Sequence, residues 1–206
     1  AEMDNDGDMD ILSASEEDNT IAWYENLGDT DNDDDLDWTA ANITTSAEGA
    51  NSVFAADMDN DGDMDIVSAS YGDDAIAWYE NDGAANPSWT AADIATSASW
   101  AYSVFVADMD NDGDMDIVSA SSVDDAIAWY ENDGAANPSW TAADIATSAD
   151  GASSVFAADM DNDGDMDIVS ASRNNGAADP SWAAADIATS ANNPHYVFAA
   201  DMDNDG

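Results

Sequence analysis

The sequence predicts an all-β chain: a β-propeller of about four repeats, either a closed four-bladed ring or an arc of a larger propeller, with a metal-binding loop in each blade. Three observations predict it. The loop Asp-Met-Asp-Asn-Asp-Gly-Asp-Met-Asp starts at Asp57, Asp108 and Asp159, a spacing of 51 residues, with a variant at Glu2 and a shortened copy at Asp201. The tetrapeptide Trp-Tyr-Glu-Asn recurs at Trp23, Trp78 and Trp129, each 21 residues after its loop begins. A further Trp stands 19 residues before the next loop, at Trp38, Trp89, Trp140 and Trp182. The repeats run approximately 1–51, 52–102, 103–153 and 154–195, with a partial copy at 196–206, all in one repeat domain. The chain opens and closes inside the same loop, which predicts a fragment of a longer chain.

Within one repeat the punctuation predicts four short strands. Ser52 to Ala56 precedes the Asp loop and Ile66 to Ser70 follows it. Ala75 to Glu80 comes next, and Asn81-Asp82-Gly83 makes a turn. Trp89 to Ala95 is the last strand. Runs of five to seven residues rich in Val, Ile, Trp and Tyr favour strands, and Asp-Gly between apolar runs marks a hairpin. The alanines of Trp-Thr-Ala-Ala-Asp-Ile-Ala leave a helical turn open there. The first repeat is four residues longer, within the acidic run Asp29 to Asp37. That run has Asp34 where the loops have Gly, and it reads as an acidic loop rather than a good metal site. The fourth repeat is nine residues shorter and lacks the Ala-Ile-Ala-Trp-Tyr-Glu-Asn segment.

Charge narrows the function. The 206 residues carry 47 Asp plus Glu against one Arg and no Lys, for a formal net charge of -46. Such a chain repels itself and has no cations for salt bridges. Metal ions and backbone N–H groups are the neutralisers left. Nucleic acid is excluded as a partner and anionic membrane surfaces are repelled. No stretch is apolar enough to insert in a membrane. The absence of cysteine excludes disulfides, Zn-thiolate sites and Cys nucleophiles.

In Asp57-Met58-Asp59-Asn60-Asp61-Gly62-Asp63-Met64-Asp65 every odd position is acidic and no even one is. An extended strand would line five carboxylates along one face. A tight loop turns them toward one point, and Gly62 permits the positive φ of a sharp reversal. Ca²⁺ takes six to eight oxygens and tolerates irregular geometry. Asp57, Asp59, Asp61 and Asp65 supply side-chain oxygens, and Asp63 its backbone carbonyl. An EF-hand fails, because its twelfth position must be a bidentate Glu and here it is Ser68. Mg²⁺ prefers fewer protein ligands, and transition metals disfavour an oxygen-only set. Merely solvating acidity does not explain the pattern: 23 of the 47 acids occupy odd loop positions.

The block Ser-Val-Phe-Ala-Ala-Asp-Met-Asp-Asn-Asp-Gly-Asp-Met-Asp-Ile-Val-Ser-Ala-Ser, followed by Ile-Ala-Trp-Tyr-Glu-Asn, resembles the FG-GAP / VCBS repeats of bacterial surface and secreted proteins, which are related to the integrin-α-like β-propeller. The resemblance covers essentially the whole chain. It implies blades with Ca²⁺ bound between the first two strands, about one per complete repeat. It implies ligation by loop positions one, three, five and nine and the carbonyl of seven. Those are Asp57, Asp59, Asp61, Asp65 and Asp63; Asp108, Asp110, Asp112, Asp116 and Asp114; Asp159, Asp161, Asp163, Asp167 and Asp165. The first copy departs with Glu2 at position one, followed by Asp4, Asp6, Asp8 and Asp10. The last retains only Asp201, Asp203 and Asp205. If the ring closes, these three share a metal with Asp8 and Asp10.

The expected function is a non-catalytic, calcium-binding domain of an extracellular or cell-surface protein, presenting a surface for adhesion to an unidentified protein or glycan. The alternatives are the propeller part of a secreted polysaccharide-degrading enzyme and a passive calcium-stiffened spacer. Catalysis needs a constellation that breaks the repeat. The candidates are Arg173 and His195, which lie in different contexts without an evident partner. Trp78 and Trp129 recur in step with the blades and read as packing residues.

Overall fold

The computed structural model describes residues 1–30 and 35–172. Thirteen strands and no helix are found among them. Strands β1 (Ile11–Ser15), β2 (Thr20–Asn26) and β3 (Trp38–Thr44) form the first sheet. The second holds β4 (Ala50–Ala56), β5 (Asp65–Ser70), β6 (Ala75–Asn81) and β7 (Trp89–Ala95). The third repeats it with β8 (Ala101–Ala107), β9 (Asp116–Ser121), β10 (Ala126–Asn132) and β11 (Trp140–Ala146). β12 (Ala152–Ala158) and β13 (Asp167–Ser172) make the fourth. Each sheet is an antiparallel meander in chain order, and β4 packs between β1 and β8, with β12 against β8. The described sheets are not closed on one another, consistent with an arc of propeller-like blades.

The period-two alternation of each strand feeds two different cores. In the second sheet, Ile66, Ala77 and Tyr79 face the first sheet and pack with Ile21, Trp23, Ala47 and Ala50. Val67, Ala69, Ile76 and Trp78 face the third sheet and pack with Val104, Val106, Ile117 and Tyr130. The third sheet sends Val118, Ala120 and Ile127 toward Ala152 and Val155 of the fourth. Burial on both faces explains why Asp-Ile-Val-Ser-Ala-Ser is buried at all six positions in β5 and β9. Of the tryptophans expected to pack between blades, Trp78 and its counterpart Trp23 are both 3 % exposed in the cores, whereas Trp129 stays partly exposed.

The segment that left a helical turn open is the outermost strand, because it pairs with its neighbour from Asn81↔Trp89 to Ile76↔Ala95. A bulge skips Ile94, and the same irregularity skips Ile43 and Ile145. The bulge re-aims each Ile onto a core while Thr90, Ala91, Ala92 and Asp93 stay exposed. An exposed edge of small and acidic residues discourages pairing with other chains.

The Asn that ends Trp-Tyr-Glu-Asn ties adjacent blades. Asn81 donates from Nδ2 to the carbonyls of Met64 in its own loop (3.0 Å) and Met3 in the preceding loop (2.9 Å). Asn132 repeats this with Met115 (3.1 Å) and Met58 (2.8 Å). Both side chains are 1 % exposed. Removing such an amide strands two buried carbonyls. Asn132→Ala is therefore expected to cost about 2 kcal/mol or more of unfolding free energy by the usual penalty for unsatisfied buried groups. Denaturant unfolding checks this. Asn26→Ala is expected to cost less, since the Asn26 amide reaches only Met9 O of its own loop, at 3.3 Å, among the described residues.

Candidate metal centres

The loops at Asp57, Asp108 and Asp159 each join the first strand of a sheet to the second, and the loop at Glu2 leads into β1. Each reversal uses two left-handed residues rather than one. The expected positive φ at the sixth position is present, at +97° for Gly62 and +99° for Gly113. The fourth position is left-handed too, at 61° for Asn60 and 62° for Asn111. Asn tolerates that region better than other side-chain-bearing residues.

The reversal gathers the first three odd positions. Carboxylate oxygens of Asp57, Asp59 and Asp61 lie within 4.8 Å of one another, as do those of Asp108, Asp110 and Asp112. Glu2, Asp4 and Asp6 form the same cluster in the first loop. The longer Glu2 side chain takes the hydrogen bonds that Asp57 takes. Asp6 N–H and Gly7 N–H donate to Glu2 at 3.1 and 2.6 Å, and Asp61 N–H and Gly62 N–H donate to Asp57 at 3.1 and 3.0 Å. Asp63 N–H donates to Asp61 at 2.9 Å. With no lysine in the chain, backbone N–H groups supply the positive poles inside the loop.

Position nine stands apart in three loops. Asp65 accepts Met58 N–H (3.1 Å) on one oxygen and Asn81 N–H (2.8 Å) on the other. Asp116 and Asp10 are held by the same pairs of amides. A carboxylate has about four acceptor sites, so these bonds leave lone pairs for a cation. In the fourth loop only the Met160 N–H bond to Asp167 is found among the described residues. There Asp167 clusters with Asp159 and Asp161, and Asp163 lies outside the group. Position seven points its side chain sideways. Asp63 accepts Asn5 Nδ2 at 2.7 Å, Asp114 accepts Asn60 Nδ2 at 2.6 Å, and Asp165 accepts Asn111 Nδ2 at 3.3 Å. Successive loops are thus linked head to tail. With its side chain engaged, position seven has its carbonyl as the donor to offer a metal. Asp8, at position seven of the first loop, lies beside Gly28, its Oδ2 3.8 Å from where a Cβ would sit.

The oxygen-only donor set, drawn together by the loop, fits a hard cation. Asp201, Asp203, Asp205, Arg173 and His195 lie outside the described residues, as do positions 31–34 of the acidic run. The sequence reading missed the Asn at loop position four and the terminal Asn of Trp-Tyr-Glu-Asn. The signal was available, since both recur at fixed offsets from the loop start. It also missed three aromatics that break the repeat, Tyr71, Trp100 and Tyr102.

Burial pushes Asp65 up to about 6 from an ordinary 3.8. Burial, then the charge of Asp6, pushes Asp4 up to about 6. Burial also raises Asp59 and Asp116. A carboxylate whose folded pKa is raised stabilises the fold fully below its unfolded pKa and loses that contribution as pH rises through the folded value. The metal-free chain is therefore expected to lose stability between pH 4 and pH 6, so its Tm at pH 7 falls below that at pH 4.5. Thermal melting of protein stripped of divalent ions checks the sign. The loop geometry gives a second expectation. A Cβ at Gly113 meets nothing within 4 Å, so only its φ of +99° opposes a side chain. Gly113→Val is expected to cost about 1–3 kcal/mol in backbone strain and to weaken cation binding at that loop. Met109→Leu, a volume-conserving change at a non-ligand position, is expected to leave cation binding intact. Cation titration of the two variants separates them.

Comparison with curated proteins finds no match to this chain. The FG-GAP-like repeat profile matches three overlapping stretches, residues 3–68, 57–119 and 108–170, so each match runs from one Asp loop through the next. Those stretches span most of the 206 residues and contain the three loops at Asp57, Asp108 and Asp159 and all of the first loop but Glu2, and on that ground the chain belongs to the FG-GAP-like repeat family.

Proposed function

We propose that this chain is a calcium-binding, non-catalytic β-propeller domain of an extracellular or cell-surface protein, which presents a surface for adhesion or ligand binding. The observation that carries the reading is the recurrence of one cluster: three carboxylates within 4.8 Å of one another in each of four loops. Like charges held that close are costly without a cation between them. In each loop positions one, three, five and nine would hold Ca²⁺ with side-chain oxygens and position seven with its carbonyl. Bound Ca²⁺ supplies the positive charge that the side chains of the described residues lack. Its role is structural: it holds the loops whose Met58 and Met64 side chains pack into the cores on either side and whose carbonyls receive the Asn ties between blades. At the Kd of about 10⁻⁴–10⁻³ M typical of extracellular calcium modules, such exposed loops would fill only where Ca²⁺ is abundant, and the external location is proposed together with that affinity. The repetition supports a non-catalytic role, since a residue present in every blade does the same work in each.

Saturation with Ca²⁺ is expected to raise Tm strongly. By mass action each site contributes about 1.4 kcal/mol at ten times its Kd. Mg²⁺ is expected to raise it less. Melting curves in Ca²⁺, Mg²⁺ and excess chelator test the reading, and identical curves in Ca²⁺ and chelator would reject it.

A further inference from the structure

At the opposite end of the strands from the Asp loops, three residues depart from the repeat and meet. Trp100 stands eight residues before its loop, where the neighbouring repeats have Gly49 and Gly151. Tyr102 stands six before, where they have Asn51 and Ser153. Tyr71 stands 14 residues after the start of its loop, where others have Glu16 and Ser122. Tyr71 and Tyr102 stack with centroids 5.6 Å apart and planes at 16°. Trp100 tilts against both, at 6.0 and 6.3 Å. The cluster straddles the boundary between the second and third blades.

Packing does not explain Trp100. Its φ is +56°, matching the glycines it replaces at +68° and +67°. A bulky residue there is a backbone outlier that costs about 1–3 kcal/mol. Burial does not offset the strain, since Trp100 is 47 % exposed. Its backbone is nonetheless anchored as in the sister blades. Asp74 accepts Trp100 N–H at 2.9 Å, as Asp125 accepts Gly151 N–H at 3.0 Å. The indole is therefore presented on a fixed hinge at the surface.

We propose that Tyr71, Trp100 and Tyr102 form a platform that binds a neutral saccharide ring; this rests on the display reading above and names its ligand class. The chemistry around the rings selects the ligand. Glu16 accepts the Tyr71 hydroxyl at 2.6 Å, and Glu48 lies close enough for its charge to act on the same phenol. With Asp74, the surroundings are acceptors carrying negative charge. Anionic glycans are repelled. The ring centroids are only 5.6 to 6.3 Å apart, too close to sandwich a cation, and the exposed part of the indole is what the cluster offers. A pyranose matches that demand: one face of C–H groups to lie on the indole, and a rim of hydroxyls to donate to carboxylates. A ring of that size covers the indole face better than a guanidinium does. The seven-residue strand β8 separates the platform from the Asp loop by roughly 20 Å, so the ligand end and the metal end are distinct.

The test uses the full chain saturated with Ca²⁺ at physiological salt. Neutral hexasaccharides of β-1,4-glucose, β-1,4-N-acetylglucosamine and α-1,4-glucose are titrated, with a uronic-acid hexamer and an arginine-containing peptide as further arms. Tryptophan fluorescence and calorimetry report binding. At least one neutral hexasaccharide is expected to bind and the uronic-acid hexamer is not. Trp100→Gly restores the residue of the sister blades, so it is expected to melt no lower than the parent while binding at least tenfold more weakly. Tyr71→Ser and Tyr102→Asn, also sister residues, are expected to weaken binding less. No neutral saccharide binding, binding that survives Trp100→Gly, or Trp100-dependent binding of the arginine peptide alone would each overturn the proposal. The Ca²⁺-dependent rise in Tm is read in the same samples, so failure of the platform and failure of the calcium reading are told apart.

Discussion

Crowded negative charge is the constraint on which the rest of this structure depends. Five carboxylates in nine residues must fit beside an apolar core, in a chain with one arginine and no lysine. The loop meets this with its backbone. Left-handed turns at Asn60 and Gly62 point the N–H groups of Asp61, Gly62 and Asp63 at the carboxylates of Asp57, Asp59 and Asp61. The amides of Met58 and Asn81 hold Asp65. Every odd residue of the loop thereby faces a partner, and the even residues are released for other work.

That release joins charge management to packing. Met58, at loop position two, is fully buried in the core toward the next blade. Met64, at position eight, packs into the core toward the preceding blade. The loop therefore plugs both neighbouring cores, and its carbonyls receive the buried Asn81 and Asn132 amides. A change in the carboxylate cluster is felt in two inter-sheet cores at once.

Much of this was legible in the residues. The strand positions followed from Ile66–Ser70 and Ala75–Glu80, short apolar runs bounded by Gly and Asp, because burial on both faces needs such runs. The clusters followed from strict alternation, because only a reversal brings odd positions together. What was not legible depends on neighbours distant in sequence. That Asp63 reaches Asn5, 58 residues away, is set by how blades stack. That Asp65 is held by Asn81 depends on where β6 ends. Trp89–Ala95 was ambiguous because its alanines suit a helix locally, and the pairing with β6 decides the matter. Trp100 was overlooked because a search for repetition discards what departs from it.

The unit that fills the space between sheets is made of equivalent residues on each occasion: Ile66 and Tyr79 behind, Val67 and Ile76 ahead, and then Ile117 and Tyr130 behind, Val118 and Ile127 ahead. The front of one sheet is complementary to the back of the next and not to itself, which makes the contact heterologous. Such a contact carries a rotation and nothing that counts how often it is applied. Asp-Ile-Val-Ser-Ala-Ser is accordingly buried throughout in β5 and β9, each of which is covered on both faces. A gene encoding this unit can gain or lose copies by duplication or deletion without any new interface being invented, and each added copy shelters the one before it.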